Sequence, residues 1–93
     1  MLDLLGSRRL HFLLTALLRI AASASPVSGK QLAETLHCPR RYLEPDLQAM
    51  ASAGILESRR GAGGGYRMAM SPHRISLSDI LHCIASGTAG MIN

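Results

Sequence analysis

The fold is decided by the stretch Pro39-Arg-Arg-Tyr-Leu-Glu-Pro-Asp-Leu-Gln-Ala-Met-Ala-Ser-Ala-Gly-Ile-Leu-Glu-Ser-Arg-Arg-Gly-Ala-Gly-Gly-Gly-Tyr-Arg67. Its first half carries apolar residues at helical spacing, namely Leu43, Leu47, Met50 and Ala51. Gly54 follows them and is of the type that commonly ends a helix. Two starts fit this helix. It begins at Arg40, with Pro45 inside and one backbone hydrogen bond lost, or near Glu44, with Pro45 at its first position.

A hairpin is predicted directly after this helix. Residues 55–60 and 66–70 flank the glycine-rich turn Gly61-Ala-Gly-Gly-Gly65. In the second segment Tyr66, Met68 and Met70 alternate as the inward residues of a half-buried strand do. The stretch as a whole therefore predicts a helix that leads into a two-stranded β-hairpin.

An amphipathic helix is predicted near the N-terminus, from about Ser7 to about Ala24. Its apolar stripe consists of Leu10, Leu13, Leu14, Leu17 and Ala21. A secretory signal peptide is the less favoured alternative, because Arg19 interrupts the apolar run. The run is also far too short to span a bilayer, so we expect no membrane partner.

Two more helices begin at recognisable caps. Ser28 and Gln31 form a capping box, and Ser76 caps a last helix with Asp79 in its first turn. The resulting order predicts a mainly α fold with a small β-hairpin: a winged helix-turn-helix with a three-helix core, a two-stranded wing and a further C-terminal helix. We expect the domain to span residues 1–86, with a short flexible tail over 87–93. The expected core is Leu13, Leu17, Leu32, Leu36, Leu43, Leu47, Ile55, Tyr66, Ile80 and Ile84, and Leu77 and Leu81 are expected on the apolar face of the last helix.

The charge of the chain indicates a polyanionic partner. The formal net charge is +4, and five of the nine arginines lie between Arg40 and Arg67, inclusive. No paired acid and base groups suggest an enzyme, and the scattered histidines suggest no metal site. Cys38 and Cys83 are too few and too far apart for a zinc finger or a disulfide framework.

The helix after Pro39 opens with side chains that can read base edges. Arg40 and Arg41 can each bond guanine through both arms of the guanidinium, and Glu44 can accept from cytosine N4. Tyr42 can reach a phosphate or a thymine methyl group. A solvated basic helix start is the alternative, but positive charge there opposes the helix dipole. DNA contact is therefore the favoured interpretation.

The glycine-rich turn, flanked by Arg59, Arg60 and Arg67, is the second candidate site. Gly61 and Gly63 let backbone amides approach phosphate, while Arg60 can enter a narrow, electronegative minor groove. A plain hairpin loop is the alternative. A nucleotide site is disfavoured, because the turn lacks the Lys-Ser/Thr of a phosphate-binding loop and lies between two strands.

The quoted stretch resembles the IscR/NsrR/CymR (Rrf-type) family of repressors. In that family a Tyr-Leu-Glu recognition helix runs into an Arg-Gly-x-x-Gly-Gly-Tyr wing, and the similarity covers about residues 10–86. The resemblance implies a DNA-binding transcription repressor of the bacterial cytoplasm. It also implies that Arg41, Tyr42 and Glu44 face the major groove and Arg60 the minor groove of a double-stranded operator. Ser28 and Gln31 would anchor phosphate.

Two departures from the family pattern affect cofactor and assembly. Some members hold an iron–sulfur cluster on three closely spaced cysteines, and residues 86–93 here contain none. We therefore expect no cofactor. The family dimerises through a long helix that would follow Asn93, so the chain is interpreted as a fragment or a shortened member. We still expect a homodimer, with its contact on the first and last helices.

A protein–protein adaptor is the alternative function. Winged helices also serve as interaction modules, and the basic face could bind an acidic partner instead of DNA. Steep salt dependence together with sequence preference favours a regulator, whereas binding only to protein favours an adaptor.

Overall fold

The computed structural model describes residues 8–83, and its elements follow the predicted order. Three helices come first: α1 (Leu10–Ala22), α2 (Gly29–Leu36) and α3 (Arg40–Ser52). Strands β1 (Leu56–Arg59) and β2 (Gly65–Met68) follow, then a 3-10 turn at Pro72–Arg74. A fourth helix, α4, begins at residue 77 and continues to residue 83. The predicted winged helix-turn-helix is confirmed, whereas Ser7, Ile84 and the tail over 87–93 lie outside the described residues.

Hydrogen bonds cap both ends of α2, and the cap at its end leads into the turn before α3. Ser28 Oγ accepts from the Gln31 amide at 3.0 Å, and Gln31 Oε1 accepts from the Ser28 amide at 2.9 Å, as predicted. At the other end His37 adopts a left-handed backbone with φ of 55°. The Cys38 amide then donates back to the Ala33 carbonyl at 3.0 Å. The chain therefore turns sharply into Pro39 and α3.

The open question about the start of α3 is resolved in favour of Arg40. Pro39 is the N-cap, and Pro45 lies inside the helix on its exposed side. The proline has no N–H for the carbonyl of Arg41, so one helical hydrogen bond is missing. The helix ends at Ser52 with Ala53 as its C-cap, and Gly54 takes the predicted position after the cap with φ of 84°. The Ile55 amide then donates to the Met50 carbonyl at 2.9 Å.

The hairpin is antiparallel and is joined by a third segment that the sequence did not reveal. Its register pairs Leu56 with Met68 and Ser58 with Tyr66. Val27, just before α2, exchanges two backbone hydrogen bonds with Tyr66, at 2.9 and 2.8 Å. Gly65 permits this approach, since a Cβ there would stand 2.5 Å from the Val27 carbonyl carbon. The wing is therefore attached to the start of α2.

The core is the predicted one, with corrections in α2 and α4. The buried apolar side chains of the described residues are Leu13, Ala16, Leu17, Ile20, Leu32, Ala33, Leu43, Leu47, Met50, Ile55, Leu56, Tyr66, Ile80 and Cys83. Leu36 is only half-buried against them. Leu77 and Leu81 are 52% and 45% exposed, contrary to the predicted apolar face. The reason is that α4 meets the core along Ile80 and Cys83, which leaves the neighbouring row of the helix uncovered.

A buried carboxylate fastens α3 to the start of α1. Asp46 is 5% exposed and accepts two hydrogen bonds from the Arg9 guanidinium, from Nε at 2.8 Å and from Nη2 at 2.5 Å. This forked geometry satisfies both carboxylate oxygens, as a buried charge requires. The orientation of α3 is therefore set by an ion pair as well as by apolar packing.

Within residues 8–83, no helix has the length and apolar character needed to cross a membrane.

Candidate nucleic-acid interface

The start of α2, the outer side of α3 and the wing surround one cleft of about 400 Å³. Six of the predicted site residues line it: Ser28, Arg40, Glu44, Arg59, Arg60 and Gly61. The other five are exposed on the same elements: Gln31, Arg41, Tyr42, Gly63 and Arg67. The fold therefore brings the two arginine-rich segments of the sequence to one surface.

The capping box of α2 leaves donors that can reach an anion. Ser28 uses its hydroxyl oxygen as an acceptor, and Gln31 uses its carbonyl oxygen. The Ser28 hydroxyl hydrogen and the Gln31 amide nitrogen remain available to donate. Both residues can therefore hold the helix start and bind phosphate at once.

Arg41 and Tyr42 form an exposed pair at the start of α3. The Arg41 guanidinium carbon lies 5.8 Å from the centre of the Tyr42 ring, within the range of a cation–π contact. The first turn of α3 contains no acidic residue and its cap makes no side-chain hydrogen bond. Both arginines therefore oppose the helix dipole without compensation in the first turn.

Arg40 is tied into the cleft through Glu44. Its Nε donates to Glu44 Oε2 at 2.7 Å, and the Tyr66 hydroxyl donates to Glu44 Oε1 at 2.9 Å. Tyr66 is 7% exposed, and burial, reinforced by Glu44, raises its pKa to about 12. The sequence placed Tyr66 in the core alone; its hydroxyl gave no signal, because alternation predicts which way a side chain points but not what its tip contacts.

Two of the three arginines of the wing lie near the carboxylate of Glu57, and the third does not. Arg67 Nε lies 2.8 Å from Glu57 Oε1, directly across the hairpin, and Arg59 Nε lies 3.8 Å from the same oxygen. Among residues 8–83, Arg60 has no carboxylate partner. It is exposed beside the glycine turn, as its predicted role requires.

Neither cysteine lines this cleft. Cys38 is half-buried in the turn before α3 and Cys83 is buried on α4. Burial raises the pKa of both thiols. In the part of the chain that the structure describes, no three His, Cys, Asp or Glu side chains come together as metal ligands would.

Comparison with known proteins identifies relatives of the same architecture. A protein of Synechocystis sp., named as an HTH-type transcriptional regulator, is 41% identical over 73 residues, which are 76% of this chain and 50% of that protein. The structure of CymR, the global cysteine regulator of B. subtilis, superposes with a TM-score of 0.75 at 31% identity and covers 84% of this chain and 62% of CymR. The structure of T. potens IscR superposes with a TM-score of 0.72 at 34% identity, and the match covers 83% of this chain and 58% of T. potens IscR.

The chain spans about half the length of the curated relatives it matches. The family model described as Rrf2, iron-dependent transcriptional regulator, matches residues 6–91. This match covers nearly all of the chain, and it includes the recognition helix, the wing and the start of α4. The chain therefore belongs to the Rrf2 family of transcriptional regulators.

Proposed function

We propose that this chain is the DNA-binding domain of a transcription regulator. The observation that carries the proposal is the single cleft at which α2, α3 and the wing present Ser28, Arg40 and Arg60 together. The names of the relatives, HTH-type transcriptional regulators, support the same role. The role is one of binding and needs no catalytic residues.

In the proposed complex α3 lies in the major groove and the wing in the minor groove. The N-terminal residues of a recognition helix come nearest to the base edges, which assigns Arg41 and Tyr42 to base contacts. Glu44 already accepts from Arg40 and Tyr66, so it can accept from a base only with the lone pairs that these two donors leave free. Arg60 and the turn at Gly61 and Gly63 reach the minor groove and its phosphates. Ser28 and Gln31 bind phosphate, together with Arg40, Arg59 and Arg67.

We propose that the protein acts as a repressor in the bacterial cytoplasm, by occupying an operator. A helix of this length contacts few base pairs, so useful specificity calls for two copies on a two-fold operator. Blocking an operator needs only the binding surface described above.

The surface proposed for the homodimer lies on α1 and α4. Leu18 is 71% exposed, and it borders an apolar groove of about 340 Å³ with Leu14, Ala21 and Ile75. Leu77 and Leu81 add exposed apolar surface on α4. Exposed apolar groups of this size on a small domain support an interface there.

Sedimentation of charged variants tests the dimer. Leu18→Glu combined with Leu81→Glu should convert a dimer to a monomer, because two carboxylates would be buried without partners. Tyr42→Glu, an exposed aromatic site on α3, is the matched control and should leave the dimer intact. A strict monomer at high concentration, or a dimer that survives the double substitution, would contradict the proposed interface.

We further propose that the 93-residue chain holds no iron–sulfur cluster. It contains two cysteines, and clusters are commonly held by four thiolates. Anaerobic reconstitution with iron and sulfide should therefore leave the protein colourless. A stoichiometric charge-transfer absorbance would contradict this and would imply ligands from a second chain.

Selection from a random DNA pool tests the proposed function directly. The chain should enrich a defined sequence, and its affinity for that sequence should fall steeply with salt because arginines displace counterions from phosphates. A scrambled duplex of equal length is the control. Failure to enrich any sequence, with binding only to a protein partner, would favour an interaction module instead.

A further inference from the structure

Three elements converge on the carboxylate of Glu44. It receives the Arg40 guanidinium from its own helix and the Tyr66 hydroxyl from the wing, at 2.7 and 2.9 Å. At the start of α2, a Cβ on Gly29 would stand 2.5 Å from Glu44 Oε2, so a larger residue there would force the carboxylate to move from this position. The carboxylate is therefore held from three sides, with its side chain 22% exposed.

We propose that Tyr66 and Glu44 are positioning residues for Arg40: the tyrosine fixes the carboxylate, and the carboxylate orients the guanidinium toward DNA. This inference rests on the proposed function, since it assigns Arg40 a DNA contact. It also gives the wing a second role, because Tyr66 of the wing then orients the Arg40 side chain on α3.

The tyrosine is suited to this role because its ring cannot move freely. Tyr66 is 7% exposed and its backbone exchanges two hydrogen bonds with Val27. Its pKa of about 12 keeps the hydroxyl protonated at neutral pH, so that it remains a donor to the carboxylate. Glu44 Oε1 accepts from this hydroxyl, which leaves Oε2 to face Arg40.

The guanidinium is held in a way that leaves most of its donors unused. Nε donates to Glu44, and the two terminal nitrogens carry four more N–H groups. The Arg40 side chain is 58% exposed, so these groups are accessible to a phosphate or a guanine edge. An ion pair this exposed contributes little to stability, but it removes rotamer freedom that binding would otherwise have to remove.

A double-mutant cycle on the selected DNA site tests the inference. Tyr66→Phe keeps the buried ring and removes the hydroxyl, and it should weaken binding by about threefold to tenfold, the effect expected when one long side chain must be immobilised on binding rather than beforehand. In an Arg40→Ala background the same change should have no further effect. In an Arg60→Ala background it should retain its full effect, because Arg60 does not depend on Glu44.

The three backgrounds distinguish positioning from general support of the wing. If Tyr66 served only to stabilise the hairpin, its loss would weaken binding equally in all backgrounds, and that result would overturn the inference. Unchanged binding by Tyr66→Phe, with normal binding by the wild type, would overturn it alone and leave the proposed function intact. Absence of any sequence-preferring binding by the wild type would instead remove the proposed function.

A second measurement needs no DNA. The Arg40 Nε–H should exchange slowly with water in the wild-type protein, as seen by nitrogen-15 NMR at low temperature. Exchange should accelerate in Tyr66→Phe and be fastest in Glu44→Gln, while thermal unfolding of Tyr66→Phe checks that the fold persists. Equal exchange rates in the wild type and Tyr66→Phe would show that the hydroxyl does not order the pair.

Discussion

The two faces of α3 differ in nearly every respect. The inner face is buried and consists of Leu43, Asp46, Leu47 and Met50. The outer face is exposed and carries Arg40, Arg41 and Tyr42. The inner face packs on the core and on Arg9. On the outer side Arg40 pairs with Glu44 of the same helix, and Tyr42 lines a hollow beside Phe12 of α1. One side of α3 is therefore buried in the protein, and the other is exposed and free to bind a partner.

Each face of α3 should control a different property. Burial of apolar side chains drives folding, so changes on the inner face should act on the free energy of unfolding. The outer arginines oppose the helix dipole and are not needed for packing, so changes there should act on binding.

Leu47→Ala should have the largest effect. Leu47 is 0% exposed, so the substitution leaves a cavity and should lower the free energy of unfolding by about 2–5 kcal/mol. Urea unfolding followed by circular dichroism measures it. Tyr42→Ala on the outer face is the control, expected within about 0.5 kcal/mol of wild type. Equal losses for both would contradict the division of the helix into two faces.

Arg9→Ala should have the next largest effect. It leaves the Asp46 carboxylate buried without its forked partner, and we expect a loss of about 2–3 kcal/mol, because Arg9 itself is partly solvated. Adding Asp46→Asn should restore part of the loss, since the uncompensated charge is then removed. A double variant no more stable than Arg9→Ala would show that charge burial is not the cause.

Alkaline pH should have a smaller effect, through Tyr66. Its folded pKa of about 12 lies above the ordinary value of 10.0, so the folded state holds the proton more tightly than the unfolded chain does. This contribution to stability is complete below pH 10 and is lost as the pH rises toward 12. Unfolding measured across that range should show a shallower decline for Tyr66→Phe. Parallel declines would assign the alkaline loss to other groups.

Much of the fold was predictable because it rests on short-range patterns. Helical spacing located Leu43 and Leu47, and the pairing of Ser28 with Gln31 marked a cap. What escaped prediction depends on residues distant in sequence. The Asp46–Arg9 pair joins positions 37 apart, and the Glu44–Tyr66 bond joins positions 22 apart.

The residues of the candidate site could be predicted from the sequence, but the contacts between their side chains could not. The arginines, the glycine turn and their convergence on one surface followed from the helix–hairpin order. Nothing in the sequence favoured Arg40 over Arg41 as the partner of Glu44, because α3 could begin at Arg40 or near Glu44. Once the helix begins at Arg40, the spacing of four residues places Arg40 beside Glu44 and leaves Arg41 to Tyr42.

Binding measurements on three alanine variants test whether the outer face of α3 and the wing bind DNA by sequence. Affinities of Arg41→Ala and Arg60→Ala for the selected duplex and for a scrambled one are compared with those of Arg19→Ala, an exposed arginine on α1 that removes the same charge. Arg41→Ala should lose about 1–3 kcal/mol on the selected duplex and relax the preference at one base pair. Arg60→Ala should lose affinity mainly where the flanks are rich in A·T pairs, and Arg19→Ala should match the wild type. Equal losses for all three variants on both duplexes would contradict the claim and reduce the surface to general attraction for a polyanion.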